Sequence, residues 1–297
     1  MARVLLALAV GALLAGCGSD RASRDTHVTV DGRRVLVRVP GKAAHPPLLL
    51  ILHGYGSDAV NEEARLQLRR PAERAGMIEV LPEGLKDSYG ERFWNATPAC
   101  CAARGPQTDD SRFLADLIDT VARRYHADPR RIYVTGLSNG GFMAHRLACD
   151  HADTVAAIVS FSGAGALPAR DCRPTQPVAV LEVHGTADAD ILYAGGRAFA
   201  SYPGARQTVA DWARRNHCAA HPVAGGHLHI VERAAADGSD DTKLAPNETS
   251  VLRYPGCARG GVAELWTEHG AGHVPQLAPA FGERAVAFLL AHPQPAP

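Results

Sequence analysis

A serine lies between two glycines at the point where an apolar segment gives way to a helical pattern. The segment reads Gly136-Leu-Ser138-Asn139-Gly140, and a strand–turn–helix setting of this kind is typical of a nucleophile elbow. Both glycines have a steric reason, because the backbone of such a turn leaves no room for side chains two positions from the serine. We therefore predict that Ser138 is a nucleophile and that the amide of Asn139 donates to an oxyanion.

A serine hydroxyl is a weak nucleophile, so the same chemistry requires a base and an acid. An imidazole must accept the hydroxyl proton, and a carboxylate must hold that imidazole in the right tautomer. Two later segments end apolar runs with suitable residues, Val183-His-Gly-Thr-Ala-Asp188 and Gly270-Ala-Gly-His273. We predict Asp188 as the orienting acid and His273 as the general base, in the chain order serine, acid, histidine.

Neighbouring residues offer alternatives for both roles. Asp190 could replace the first acid, although Gly185 supplies a tighter turn before Asp188. His269 competes with His273, but it lies nearer to the end of its predicted strand. Both alternatives stay open at the level of the sequence.

Three further histidines call for a different interpretation. His184 is predicted to be a hydrogen-bonded histidine beneath the acid loop. His227 and His229 share one face of a predicted strand and could bind a metal, but no third ligand is evident nearby. We therefore predict a solvated strand there, no metal site and no cofactor.

A second oxyanion donor is expected after the apolar run at residues 48–52. The segment His53-Gly54-Tyr55-Gly56 follows that run directly. Gly54 allows a sharp turn, so we expect the amide of Tyr55 to face the oxyanion and its ring to lie beside the acyl pocket. The alternative is a plain glycine turn after a strand.

The elements that must position these residues alternate between strands and helices. A hairpin is predicted over residues 27–39, because apolar and polar residues alternate on both sides of Asp31-Gly32. Later strands are predicted at 48–52, 77–81, 131–135, 155–160, 178–183, 228–232, 249–254 and 262–268, with helices at 62–75, 109–125, 140–149, 205–217 and 279–292. Such alternation predicts an α/β fold, a mostly parallel twisted sheet with helices on both faces.

Length, charge and the amino terminus bound the function further. The 297 residues suffice for one large domain, and 31 basic against 31 acidic residues disfavour a nucleic-acid-binding surface.

Residues 4–14 are apolar but shorter than the roughly 20 residues that span a bilayer. The segment Leu14-Ala-Gly-Cys17 resembles a bacterial lipobox, so we expect an exported protein lipidated at Cys17. An ordinary secretory signal with a chance cysteine is the alternative.

Six cysteines remain once Cys17 is set aside. They are interpreted as cysteines that form structural disulfides in an oxidising compartment. Their positions are Cys100, Cys101, Cys149, Cys172, Cys218 and Cys257. We predict that Cys218 pairs with Cys257, while the other four allow more than one pattern. A direct bond between the two adjacent cysteines would need a strained eight-membered ring.

A series of motifs resembles one family of secreted α/β-hydrolase esterases, grouped with polyhydroxybutyrate depolymerases and feruloyl or acetylxylan esterases. The matching residues are Leu52 to Ser57, Trp94 with Cys100 and Cys101, Thr108 to Leu114, Asp128 to Gly141, His184 to Asp188, Tyr193, Gly195 and Gly196, and Gly272 with His273. The resemblance implies an α/β-hydrolase fold and the triad Ser138, Asp188 and His273. It also places Gly54, Tyr55, Trp94 and Asn139 in the oxyanion or substrate-binding site.

The chain departs from that family's pattern around the base. Family members commonly have Gly-Gly-His-x-Trp-Pro, whereas this chain reads Ala271-Gly-His-Val-Pro275, which implies an altered rim of the acyl or leaving-group site. The resemblance thus implies a serine ester hydrolase of the cell envelope, acting on polyhydroxyalkanoate-type polyesters or on feruloyl or acetyl esters. An envelope acyltransferase and a non-catalytic ligand-binding lipoprotein are the alternatives.

These expectations divide the chain into four parts. Residues 1–16 are predicted to be a lipoprotein signal peptide and 17–26 a lipid-anchored tether, which would be the protein's only attachment to a membrane. Residues 27–292 are predicted to form a single α/β-hydrolase domain, and 293–297 a disordered tail.

Overall fold

A ten-stranded sheet forms the centre of the molecule. The computed structural model describes residues 23–41, 44–101 and 105–296, so the predicted signal peptide and the lipidation site at Cys17 lie outside the described residues. The strands in chain order are β1 (Arg24–Val30), β2 (Arg33–Val39), β3 (Leu48–Leu52), β4 (Ile78–Leu81), β5 (Leu85–Lys86), β6 (Arg92–Phe93), β7 (Ile132–Leu137), β8 (Ala157–Phe161), β9 (Ala179–Gly185), β10 (Gly195–Arg197), β11 (Ser201–Pro203), β12 (Val223–Leu228), β13 (Val231–Arg233), β14 (Thr249–Arg253), β15 (Val262–Glu268) and β16 (Gln276–Leu277). The helices are α1 (Ala59–Arg65), α2 (Arg69–Arg74), α3 (Asp110–Tyr125), α4 (Asn139–Asp150), α5 (Ala205–Arg215) and α6 (Ala280–Ala291).

The order of strands across the central sheet is β1-β2-β4-β3-β7-β8-β9-β15-β14-β12. The six strands from β4 to β15 run parallel to one another, and the strands at both ends of the sheet are antiparallel. The carboxyl ends of β3, β7, β9 and β15 therefore meet at one edge of the sheet. Each predicted site segment begins at one of these ends.

Helices cover both faces of the sheet, which explains why the inner strand β3 is apolar throughout. In β3 every residue is buried. Leu48, Leu50 and Leu52 pack in a cluster with side chains of α3, α4 and α5. Leu49 and Ile51 pack in a second cluster with side chains of α2 and α6. The period of two along a strand thus distributes one apolar run between two cores.

Two predicted elements differ from the structure. The predicted helix 62–75 is divided into α1 and α2, because Gln67 between them adopts a left-handed conformation with φ of 52°. The predicted strand 228–232 is divided between β12 and β13. Here the carboxylate of Glu248 accepts the amides of Ile230 and Val231, which removes them from a strand ladder.

The boundaries at both chain ends also differ from the prediction. Because β1 begins at Arg24, residues 24–26 belong to the sheet and not to a tether. Gln294 in the predicted disordered tail donates its backbone amide to the carbonyl of Arg130 and its side-chain amide to the carbonyl of Ala152. The predicted tail is therefore docked as far as the structure describes it. None of the helices within the described residues is long and apolar enough to cross a membrane.

All six described cysteines form disulfides. Cys218 pairs with Cys257 as predicted, and Cys149 pairs with Cys172. The remaining bond joins Cys100 and Cys101, the pairing for which a strained eight-membered ring was predicted. A cis peptide bond between these two residues brings their Cα atoms to 3.1 Å.

Candidate active site

The turn between β7 and α4 displays Ser138. This residue has φ of 55° and ψ of −120°, a conformation that few residues other than glycine adopt. Its amide donates to the carbonyl of Phe161 at 2.8 Å, which ties the turn to the neighbouring strand β8. A Cβ at Gly140 would lie 2.2 Å from the carbonyl oxygen of Leu52, and one at Gly136 would lie 2.6 Å from the backbone of Gly140. The steric requirement for both glycines is thus confirmed.

Asp188 and His273 come together from the loops after β9 and β15. Asp188 Oδ2 lies 2.8 Å from His273 Nδ1. The other carboxylate oxygen accepts the amides of Asp190 and Ile191, both at 2.9 Å, which fixes the plane of the carboxylate. With Nδ1 directed at Asp188, the opposite nitrogen of the ring is the one available to a substrate or nucleophile.

Ser138 and His273 line one cavity of about 370 Å³. Gly54 and Tyr55 line it as well, so the loop after β3, the elbow after β7 and the loop after β15 meet there. The structure therefore brings together the serine, the histidine and the predicted oxyanion loop.

The competing residues lie elsewhere. Asp190 is exposed and donates its own amide to Asp188. His269 lies 2.9 Å from Ser250 Oγ through Nε2 and does not line the cavity. The arrangement of atoms thus favours Asp188 and His273 over both alternatives.

His53 sets the orientation of the predicted oxyanion loop. The amide of Gly84 donates to His53 Nε2 at 2.9 Å, so the ring proton is on Nδ1, which donates to the carbonyl of Gly54 at 2.7 Å. Burial lowers the pKa of His53 to about 4, so the ring is neutral at pH 7. Because the peptide bond from Gly54 to Tyr55 is trans, the amide of Tyr55 is directed away from the carbonyl that His53 holds.

Glu62 holds the preceding peptide of the same loop. Its Oε2 accepts the amide of Gly54 at 3.0 Å, although the residue lies at the start of α1 and is only 1% exposed. Burial raises the pKa of Glu62 to about 7. Sequence reasoning missed this residue, since only the packing of α1 brings a glutamate eight positions along the chain back onto the loop.

Trp94 lies behind the site and not in it, contrary to the expectation that it contacts substrate. It is fully buried and does not line the cavity. Its Nε1 donates to the carbonyl of His53 at 3.1 Å, and its backbone amide and carbonyl bond both ends of the Asn139 side-chain amide, at 2.6 and 2.9 Å. Trp94 thus joins the oxyanion loop to the nucleophile elbow.

The amide of Asn139 directly follows Ser138 in the elbow. It is the first amide of α4, and the first amides of a helix have no acceptor within that helix. Tyr55 presents an exposed ring at the cavity, and its hydroxyl donates to Asp87 Oδ2 at 2.5 Å. The remaining wall of the cavity is largely polar and includes Ser57, Asp58, Asn61 and Arg65.

The electrostatics of the acid differ from those of an isolated carboxylate. Burial of Asp188 opposes its ionisation, but hydrogen bonds with His184 and His273 outweigh burial and hold its pKa below the ordinary range.

The histidines of the predicted strand, His227 and His229, do not line the cavity, and His229 pairs with Glu248 at 2.7 Å. Within the part of the chain that the structure describes, no three histidine, cysteine or acidic side chains are grouped as metal ligands.

Comparison with solved structures identifies the fold. An acetyl xylan esterase from Aspergillus awamori superposes with a TM-score of 0.62 at 15% identity, covering 90% of this chain and 98% of that one. TT1662 from Thermus thermophilus superposes with a TM-score of 0.54 at 19% identity, covering 91% and 98%. The chain has the α/β-hydrolase fold that its sequence predicts.

Comparison with characterised sequences points to esterases. The chain is 34% identical over 176 residues to a putative esterase, NocK, of Nocardia uniformis subsp. tsuyamanensis, covering 57% of this chain and 50% of that protein. It is 30% identical over 204 residues to feruloyl esterase B of Piromyces equi, covering 64% and 37%. Feruloyl esterase D of Neurospora crassa is 27% identical over 283 residues, covering 91% and 86%. The chain thus spans half or less of the first two relatives.

A family profile covers most of the predicted site. The family described as "Esterase PHB depolymerase" matches residues 34–211, a range that includes the oxyanion loop, Ser138 and Asp188 and ends before His273. Because this match extends over more than half of the chain, the protein belongs to the Esterase PHB depolymerase family.

Proposed function

We propose that the protein is a serine carboxylic-ester hydrolase with Ser138, Asp188 and His273 as its triad. The observation that carries the proposal is the single cavity lined by Ser138 and His273, with His273 Nδ1 held by Asp188 at 2.8 Å. A nucleophile, a base and an acid in this relation are the groups that acyl transfer requires. Membership of an esterase family supports the same assignment.

The reaction proceeds through an acyl-enzyme. Ser138 Oγ attacks the ester carbonyl while His273 Nε2 takes its proton, and the amides of Tyr55 and Asn139 stabilise the tetrahedral oxyanion. Collapse of this intermediate expels the alcohol, which takes the proton from His273. A water molecule then attacks the acyl-enzyme with His273 as base, and the carboxylic acid and free Ser138 are released.

The polar wall of the cavity favours a substrate that carries hydroxyl groups beside the ester. Asp58, Asn61 and Arg65 offer acceptors and donors where the alcohol part would lie. Feruloyl or acetyl esters of saccharides fit such a wall better than the apolar chain of a polyhydroxyalkanoate. Relatives named feruloyl esterase and acetylxylan esterase agree with this preference.

We further propose that the enzyme works outside the cytoplasm, anchored through a lipidated Cys17. Three disulfides are expected in an oxidising compartment. Arg24, the first residue of β1, comes seven positions after Cys17, so the anchor would hold the domain close to a membrane surface. Mass spectrometry of the amino-terminal peptide tests the modification, and a Cys17→Ala variant that stays with the membrane fraction would contradict it.

The activity is tested with the chain from residue 18 onward on nitrophenyl acetate, feruloyl esters, acetylxylan and hydroxybutyrate oligomers. Ser138→Ala should lower kcat by at least about a thousandfold, because removal of a triad member leaves only binding and the oxyanion donors. The exposed Ser201→Ala is the matched control and should retain full activity.

Three outcomes would overturn the assignment. Full activity of Ser138→Ala would exclude it as the nucleophile, and absence of turnover on every ester would favour a non-catalytic binding protein. Transfer of the acyl group to an added saccharide in preference to water would identify an acyltransferase that uses the same triad.

A further inference from the structure

A chain of buried polar side chains extends from the triad carboxylate into the protein. Its members beyond Asp188 are His184, Glu182, His145 and Trp212, none of them more than 2% exposed. They come from β9, α4 and α5, and consecutive partners lie between 2.9 and 3.3 Å apart. Nothing in the proposed reaction uses these groups directly.

The far end of this series of buried side chains, at His145 and Trp212, has only one possible arrangement of protons. Trp212 Nε1 can only donate, and it lies 3.0 Å from His145 Nδ1, which therefore accepts. His145 is thus neutral, with its proton on Nε2, and donates to Glu182 Oε2 at 2.9 Å. One oxygen of Glu182 is occupied in this way.

The other oxygen of Glu182 meets His184. His184 Nε2 lies 2.7 Å from the carbonyl of Ile191, which can only accept, so Nε2 carries a proton. His184 Nδ1 lies 3.2 Å from Glu182 Oε1, and a single proton lies between these two atoms. The pair is either an imidazolium with a carboxylate or a neutral imidazole with a carboxylic acid.

The surroundings favour the ion pair. Burial by itself would lower the pKa of His184, but its hydrogen bonds with Asp188 and Glu182 outweigh burial and raise that pKa to about 10. Burial would likewise raise the pKa of Glu182, yet hydrogen bonds with His145 and His184 lower it below the ordinary value. At neutral pH the proton therefore resides on His184.

His184 and His273 share one oxygen of the triad acid. Asp188 Oδ2 lies 2.8 Å from His273 Nδ1 and 3.3 Å from His184 Nε2. A cation at this oxygen reduces the negative charge that Asp188 presents to the other imidazole. We propose that His184 is a positioning residue that acts through Asp188: held as an imidazolium by Glu182, it keeps His273 neutral and able to accept the proton of Ser138. This role rests on the proposed function, because it takes His273 as the general base.

The other groups that face His184 leave this balance in place. Glu268 on β15 is fully buried, and burial raises its pKa well above the ordinary value, which favours its neutral form. The ring of Tyr193 packs edge-on against His184 at 5.8 Å, and its hydroxyl bonds Thr267. The charged groups in contact with His184 are therefore Glu182 and Asp188.

The dependence of kcat/KM on pH tests the proposal. His184→Gln keeps an amide donor near Asp188 but removes the charge, so the midpoint of the acidic limb should rise by about one pH unit while the alkaline plateau of kcat stays within about threefold. Glu182→Gln should shift the midpoint in the same direction, because His184 loses the carboxylate that keeps it charged. The exposed His221→Gln is the matched control and should leave the midpoint unchanged. A lowered kcat with an unmoved midpoint in His184→Gln would show a merely structural role and overturn the proposal.

A second measurement does not depend on activity or on the folding of the His184 variant. Nitrogen-15 spectra of the imidazoles, recorded on the Ser138→Ala protein, should show both nitrogens of His184 protonated up to pH 8 or above. A neutral tautomer at pH 7 would overturn the proposal. The esterase mechanism and the role of His184 can be contradicted separately. Retained activity in Ser138→Ala would contradict the esterase mechanism. If activity depends on Ser138 but the acidic limb does not shift in His184→Gln, only the role of His184 is contradicted.

Discussion

The oxyanion loop shows how much of the site depends on single hydrogen bonds to buried side chains. His53 accepts from one backbone amide and donates to the carbonyl of Gly54, and Glu62 accepts the amide of Gly54 from the other side. Trp94 holds the carbonyl of His53 as well. The orientation of the Tyr55 amide therefore results from three side chains, and the loss of any one should affect kcat more than substrate binding.

Glu62 offers the sharpest test at this scale. Glu62→Ala leaves the buried amide of Gly54 without an acceptor, a cost of about 1–3 kcal/mol, and should lower kcat about tenfold. Glu62→Gln keeps an acceptor oxygen in the same place and should stay within about threefold of the wild type at pH 7. Steady-state kinetics on nitrophenyl acetate measure both. If Glu62→Gln were as impaired as Glu62→Ala, the negative charge and not the hydrogen bond would be what matters.

The nucleophile elbow works through the contact between elements. α4 approaches β3 so closely that Gly140 leaves no space for a Cβ against the carbonyl of Leu52. The positive φ of Ser138 is maintained because its amide is bound by β8 and the helix that follows it, α4, packs against the three strands β3, β7 and β8. Contacts with the sheet thus hold the serine in an unfavourable backbone conformation.

Alanine substitutions can separate this contact from the general cost of replacing glycine. Gly140→Ala should lower the free energy of unfolding by about 3 kcal/mol, because helix and strand must move apart. Gly165→Ala is the matched control, since its Cβ would lie 3.4 Å from the nearest heavy atom and its backbone is not left-handed. That variant should differ from the wild type by less than about 1 kcal/mol in urea denaturation. Equal losses in the two variants would contradict the steric explanation.

Across the whole molecule, several buried groups hold protons more tightly than they would in an unfolded chain. The pKa is raised to about 7 at Glu62, to about 9 at Glu79 and to about 10 at His184, with burial as the main cause at the two glutamates and hydrogen bonds overcoming burial at the histidine. Asp188 and Glu182 have lowered pKa values. The groups with raised pKa values stabilise the folded state at low pH. The groups with lowered pKa values stabilise it at pH values above the ordinary carboxylate pKa.

These opposing shifts predict the dependence of stability on pH. A group with a raised folded pKa contributes fully below its unfolded pKa and loses that contribution as the pH rises through the folded value. The urea concentration at the midpoint of unfolding should therefore decrease as the pH rises from 6.5 to 10. It should also decrease in strong acid, because Glu182 and Asp188 become protonated there. His184→Gln should show a smaller fall on the alkaline side, while His221→Gln should follow the wild type. A midpoint that rises from pH 6.5 to pH 10 would contradict the prediction.

Local patterns predicted most of the fold and pointed to the candidate site residues. The period of two in the hairpin, the apolar run of β3 and the glycines around Ser138 are consequences of backbone geometry and burial, which act over a few residues. The tight turn at Asp31 and Gly32, both with positive φ, is one such case. Chain order then indicated Asp188 and His273, because strand ends in a parallel sheet meet at one edge.

Other features depend on residues far apart in the sequence, and local patterns did not predict them. The division of α1 from α2, where Gln67 Nε2 donates to the carbonyl of Leu277, and the burial of Trp94 behind the site both involve contacts with distant segments. The docking of Gln294 on the domain is another example.

The sequence by itself determined which side chains could do chemistry and which backbone turns would display them. The tertiary structure alone decided where protons reside, at His53, His145 and His184. The tautomer and charge of an imidazole depend on the donors and acceptors that face its two nitrogens, and in this protein those partners arrive from different strands and helices.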